Sequence, residues 1–100
     1  LYDAYHPIAQ VGPDGTRDGA LVTVTGPICE STDVLAERRE LPRPRRGDLL
    51  AVGMTGAYGI EMASQYNSRP RPPVVAFDGE TTRTVRRRER VEDIVLTEEP

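Results

Sequence analysis

Nine glycines and nine prolines punctuate this 100-residue chain. They cut its apolar residues into runs too short for long helices, and the pieces between them alternate with a period of two. Ala20 to Thr25 (ALVTVT) reads as a strand that Gly26-Pro27 stops. Tyr2 to Val11 reads as a strand closed by the turn Gly12-Pro13-Asp14-Gly15. Asp48 to Met54 is a further strand. Val74 to Phe77 and Thr81 to Arg88 read as a hairpin about Asp78-Gly79. In the second of these, Thr82, Thr84 and Arg86 share one face and Arg83, Val85 and Arg87 the other. Val34 to Arg39 is expected to form a helical turn capped by Asp33. Leu41 to Gly47 and Tyr66 to Pro73 are expected to be loops, since each is rich in proline. Gly56 to Gln65 fits a helix or a turn, and residues 91–96 a short terminal helix. The fold expected is mainly β, a small sandwich or barrel with short helical turns.

A chain of this length makes one domain, here residues 1–100, and buries only a little over ~60% of its unfolded surface. Leu41–Arg46 is too short to divide it. Apolar residues make up 37% and charged residues 29%, with four Tyr, one Phe and no Trp. So thin an aromatic set implies apolar surface that another domain or subunit completes. The net charge of −3 argues against nucleic-acid binding driven by phosphate attraction. One cysteine excludes an internal disulfide and a cysteine-rich zinc site. No apolar run approaches the ~20 residues of a membrane span, and no signal segment opens the chain. These features fit a cytoplasmic protein. The chain starts at Leu1 without an initiator Met, so further residues are expected upstream. All thirteen basic residues are arginine; there is no lysine.

Four ordered pieces carry more information than composition does. They are LYDAYHPI at the start, GPICESTD at 26–33, DLLAVGMTGAYG at 48–59 and MASQYNSRPRPPVV at 62–75. Together they resemble the carboxy-terminal β-domain of diaminopimelate decarboxylases, pyridoxal-phosphate enzymes of alanine-racemase type. That family pairs an α/β barrel with a β-domain, and the barrel holds most of the cofactor contacts. The resemblance implies a fragment that is inactive alone. Its partners would be the amino-terminal barrel of the same enzyme, a second subunit with the active sites at the dimer interface, and a small-molecule substrate. The reaction implied is decarboxylation of meso-diaminopimelate to L-lysine. Pyridoxal 5′-phosphate is anchored by a lysine as a Schiff base, which this chain cannot supply.

The resemblance also assigns roles to particular residues. Cys29 would be the catalytic proton donor: an ordinary thiol, with a pKa near ~8.5, is protonated at neutral pH and can give that proton up. Glu30 would bind the distal amino group of the substrate, since a carboxylate pairs with an ammonium. Related ornithine- and arginine-type decarboxylases usually carry Asp there, so Glu30 favours diaminopimelate. Tyr58 would reach both the cofactor phosphate and the substrate, its phenol donating a hydrogen bond without a change of charge. Tyr2 matches a substrate-contacting tyrosine of the family. Thr32 departs from the commonest form, where Gly or Ser is frequent.

Other residues read more plainly. His6 has no Asp, Glu or Cys cluster about it in sequence and is expected to be structural. Asn67-Ser68-Arg69 would shape a loop and dock on the barrel. No nucleophile elbow surrounds Ser68. Arg43, Arg45 and Arg46, like Arg86-Arg87-Arg88, read as solvated, salt-bridged faces. No metal-ligand spacing is present. Two rivals remain: the same fold in an ornithine- or arginine-type decarboxylase, and a non-catalytic assembly module.

Overall fold

The computed structural model describes residues 3–12 and 15–99. The chain divides into two compact units, Leu1–Met62 and Ala63–Pro100. Strands dominate and helix is scarce, as the sequence implies. Pairing is confined to three two-stranded antiparallel ladders, which do not join into a closed barrel among the described residues.

In the first unit, β1 (Ile8–Val11) pairs with β4 (Leu49–Val52), and β2 (Gly19–Thr25) pairs with β3 (Val34–Pro42). β1 also packs on β3. β2 keeps the alternation its sequence promises, with Ala20, Val22 and Val24 turned toward cover and Leu21, Thr23 and Thr25 exposed. β1 is shorter than expected. Pro7 has no N–H to give a ladder, yet its carbonyl accepts the Gly53 N–H at 2.8 Å. The His6 ring adds a bond from Nδ1 to the Gly53 carbonyl at 3.2 Å. Since a carbonyl only accepts, Nδ1 carries the proton. The start of the expected strand, including Tyr2, lies outside the described residues.

β3 is the main departure. Residues 34–39 form strand and not a helical turn, and Leu41 and Pro42 extend it into the segment expected to be loop. Pairing with β2 overrides local propensity. The seven residues of β2 face nine of β3. The register steps from Val22↔Arg39 to Val24↔Ala36, then to Thr25↔Val34, so two bulges absorb the difference. Arg38 sits in the first of them with φ 52°. This register turns Ala36 and Leu41 inward, at 6% and 5% exposure; they are the buried apolar residues among those described. Pro42 ends the ladder, where its missing N–H costs little.

The Pro/Arg-rich connection from β3 to β4 is tied down. Asp48 takes the Arg17 guanidinium at 2.5 Å and the Arg45 N–H at 2.6 Å. Those two donors, Arg17 first, hold the Asp48 carboxyl below its ordinary range. After β4 the chain runs through turns to a short 3₁₀ segment, Ile60–Met62.

In the second unit, a 3₁₀ turn, Tyr66–Ser68, precedes β5 (Val74–Phe77). β5 pairs with β6 (Thr82–Arg86), and a one-turn helix α1 (Val91–Ile94) follows. Asn67 and Ser68 both have φ 55°. The hairpin turns at Asp78, whose carboxylate accepts the N–H groups of Glu80 (3.0 Å) and Thr81 (2.8 Å) and the Thr81 hydroxyl (2.9 Å). A bulge at Val85 shifts the register between Val74↔Arg86 and Val75↔Thr84. It breaks the strict two-face alternation expected of that strand. α1 is shorter than the helix expected over 91–96. Its first turn is closed by Asp93, which accepts the Arg90 N–H at 2.7 Å and both terminal nitrogens of Arg87 at 2.5 and 2.6 Å.

Glu89 gathers the rest of this unit. Its carboxylate takes the Arg71 Nε–H at 2.7 Å, the Arg71 backbone N–H at 2.8 Å and the Gln65 amide at 3.1 Å. The Arg71 side chain is the main cause of its pKa falling from 4.5 to about 2. A depressed carboxylate stabilises the folded form above its unfolded pKa, and that stability is lost as pH falls through the folded value. The second unit should therefore lose stability between about pH 4.5 and pH 2. A Glu89→Gln variant should be less stable at neutral pH and flatter over that acid range. Carboxyl titration by NMR, with thermal melts at each pH, checks both; a Glu89 that titrates near 4.5 would contradict the account.

Candidate functional site

Cys29 and Glu30 occupy the tip of the connection between β2 and β3, and both are exposed. Residues 26–33 form that connection, and three bonds shape it. The Gly26 N–H donates to the Asp33 carbonyl at 3.0 Å, the last rung before the loop opens. The Asp33 N–H donates to the Glu30 carbonyl at 3.0 Å and closes a turn around Glu30. The Asp33 carboxylate accepts the Ile28 N–H at 2.7 Å, next to the cysteine. Asp33 thus caps an amide, as the sequence implies, but the amide belongs to a hairpin loop and not to a helix. Gly26 is required by close approach: a Cβ there would lie on the Asp33 carboxylate.

Tyr58 lies in the turns between β4 and Ile60–Met62. Its φ is 58°, in the left-handed region that side chains seldom adopt. The Ile60 N–H reaches back to the Thr55 carbonyl at 3.0 Å. Gly59 fits inside this turn only because it lacks a side chain; a Cβ would stand 2.5 Å from the Thr55 oxygen. The turn leaves Tyr58 56% exposed.

Tyr58 borders a cleft of about 700 Å³ with Asp3, Tyr5, His6, Ala36 and Arg39 among its lining residues. The Arg39 guanidinium stacks on the Tyr5 ring, 3.7 Å from its centroid, a cation–π contact. Arg39 Nε is enclosed and has no hydrogen-bond acceptor among the described residues. This wall offers phenols, an imidazole and a guanidinium as donors for an anionic oxygen, and the carboxylates of Asp3 and Glu37 stand beside them and oppose a second negative charge near their own part of the wall. Cys29 and Glu30 do not line this cleft.

The residues singled out from the sequence therefore fall at two places of the first unit, a hairpin tip and a cleft. Tyr2 lies outside the described residues. Arg39 and Tyr5 carry no signal in the sequence. They stand 34 positions apart, and only the pairing of the strands brings them together. No group of three or more His, Cys, Asp or Glu side chains able to hold a metal occurs among the described residues. No helix among them is long and apolar enough to cross a membrane.

Comparison with known proteins gives this geometry a context. Residues 1–56 match the family described as pyridoxal-dependent decarboxylase, C-terminal sheet domain. A diaminopimelate decarboxylase from Helicobacter pylori strain J99 is 44% identical over 94 residues, covering 94% of this chain and 23% of that protein. One from Archaeoglobus fulgidus is 43% identical over 95 residues, again covering 23% of its length. The crystal structure of a diaminopimelate decarboxylase from M. jannaschii in complex with L-lysine superposes with a TM-score of 0.89 at 36% identity. That match covers 99% of this chain and 22% of the other. The chain thus spans about a quarter of the length of the relatives it matches. With more than half of its residues inside the family's pattern and its fold shared with a solved relative, the chain belongs to the C-terminal sheet domains of pyridoxal-dependent decarboxylases.

Proposed function

We propose that this chain is the sheet domain of a diaminopimelate decarboxylase, which as a whole converts meso-2,6-diaminopimelate to L-lysine and carbon dioxide in the cytoplasm. The observation that carries the reading is the 26–33 loop, where bonded turns hold an exposed thiol and an exposed carboxylate side by side. The names of the relatives support the choice of substrate, as does L-lysine in the complex of the M. jannaschii structure.

The residues present fit part of a bound pyridoxal phosphate. The chain has no lysine to anchor the coenzyme, so a different stretch of polypeptide would hold it covalently. Tyr58 and Arg39 stand on one cleft and have the donor chemistry for an anionic oxygen, although Asp3 and Glu37 line that cleft too. Tyr58 is the residue we assign to the phosphate and to the substrate beside it, and Tyr2 would add a second contact to the substrate. When bound, the coenzyme supplies the electron sink that makes loss of carbon dioxide accessible. The chain's own residues act around it. The Cys29 thiol holds a proton at Sγ and delivers it to the carbon that has lost its carboxylate. The Glu30 carboxylate accepts hydrogen bonds from the distal ammonium of the substrate and so selects a diamino acid.

Exposure in this chain supports a larger assembly. Tyr5 is 71% exposed, and Leu49 (67%) and Phe77 (69%) are similarly open, while buried apolar residues are few. Such surface is normally covered by protein. An amino-terminal barrel and a second subunit would cover it and complete the site.

Two experiments on the full-length enzyme test the assignment. Cys29→Ser should lower turnover roughly a hundredfold or more, the usual worth of a general acid; turnover at the wild-type rate would remove Cys29 from the chemistry. Glu30→Gln should raise KM about tenfold, the value of a charge-assisted hydrogen bond, with a smaller change in kcat. A collapse of kcat at constant KM would instead give Glu30 a part in the chemical step, and preference for ornithine would move the enzyme to the related type.

A further inference from the structure

We propose that Asp33 is a positioning residue: by holding the Ile28 amide, its carboxylate fixes the direction in which the next residue, Cys29, presents its thiol. The proposal rests on the decarboxylase reading for its consequence in catalysis, but on geometry alone for the staple itself.

Three features single Asp33 out. Its carboxylate takes the Ile28 N–H at 2.7 Å across five residues. Its own N–H and carbonyl make two further bonds within the loop, to Glu30 and Gly26. It also fills the space in which a side chain at position 26 would sit, so the loop is compact only with glycine there. The two bonds made by the Asp33 backbone survive almost any substitution. The bond made by its carboxylate does not, and it is the one that constrains the peptide leading into Cys29. Glu30 is fixed mainly by the backbone pair and Cys29 mainly by the side chain. The two roles assigned to this tip thus depend on different atoms of one residue.

A general acid on an exposed loop delivers its proton well only if its atom stays near the reacting carbon; a misplacement of about 1 Å can cost on the order of a hundredfold. Asp33→Ala in the full-length, pyridoxal-phosphate-loaded enzyme should therefore lower kcat for meso-diaminopimelate by roughly ten- to a hundredfold. KM should change by about threefold or less, because the turn around Glu30 is kept. Asp33→Asn retains an acceptor oxygen of the same reach and should recover most of the loss. Exchange of the Ile28 amide, followed by mass spectrometry or NMR, should quicken about tenfold or more in the Ala variant and much less in the Asn variant.

Gly26 supplies an independent arm. Its φ is not in the left-handed region, so Gly26→Ala brings no left-handed strain, and the atoms its methyl meets first are those of the Asp33 carboxylate. Gly26→Ala alone should resemble Asp33→Ala in both kcat and Ile28 exchange. Added to Asp33→Ala, it should do almost nothing further, because the obstructing carboxylate is gone. Unchanged Ile28 exchange in Asp33→Ala overturns the proposal, as does a Gly26→Ala effect that adds in full to that of Asp33→Ala. Should Asp33→Ala fail to fold, Ile28 exchange in Asp33→Asn and Gly26→Ala decides the same question. If Cys29→Ser proves fully active, the catalytic reading falls, while amide exchange still decides whether Asp33 staples the loop.

Discussion

The mismatch between β2 and β3 governs the first unit. Seven residues pair with nine, and the two extra residues must leave the ladder as bulges. Without them a single register would run through the pair, and a slip of one residue reverses which side chains face inward. With them, Ala36 and Leu41 both reach cover while Arg39 turns to the cleft and stacks on Tyr5. The left-handed Arg38 in the first bulge carries strain on the order of 1–3 kcal/mol. The pairing on either side of it over-determines that conformation. The same ladder delivers the 26–33 loop, since its last rung, Gly26 to Asp33, is also the first bond of the loop.

Several parts of this arrangement were legible from residue order. β2 alternates in the sequence as it does in the structure, and the Asp78-Gly79 turn shows its chemistry openly. β3 was not legible. Glu37-Arg38-Arg39-Glu40 has the composition of an exposed helix surface, and its preference for strand comes from a partner strand, Val22 opposite Arg39 and Leu21 opposite Glu40. Asp33 signalled an amide cap, which it is, but residue order could not say whether the capped amide belonged to a helix or to a hairpin. The cleft left no mark, because Tyr5, Arg39 and Tyr58 come from three separate segments. Cys29 and Glu30 stood out through resemblance and not through spacing: one thiol beside one carboxylate is, by itself, an ordinary surface pair.

A second thread is the use of arginine in place of lysine. Ion pairs hold irregular segments among the described residues: Arg17 to Asp48, Arg71 to Glu89 and Arg87 to Asp93. In each, the carboxylate also accepts a backbone N–H, from Arg45, Arg71 and Arg90 respectively. The acid therefore serves as the hub of a loop, and the guanidinium orients it. An ammonium gives a point charge without the fixed fork that Arg87 lays against both oxygens of Asp93. An exposed ion pair alone stabilises little, about 0–1 kcal/mol. What these pairs contribute is shape: they restrict connections that have no ladder to restrain them.

Shape is also what a sheet domain of this kind has to offer. Cys29 and Glu30 are both exposed in the first unit. Their value under the proposed reading lies in being carried, already oriented, into a site that other protein surrounds. That demands a loop whose geometry is set before docking, because freedom left in the loop would have to be removed on assembly at a cost in entropy. A stapled hairpin tip meets the demand with few interactions: three hydrogen bonds and one close glycine contact fix eight residues. The thin core follows from the same logic. Under the proposed reading, Tyr5 and Phe77 are open because other protein would cover them, and the ladders and ion pairs hold each unit meanwhile.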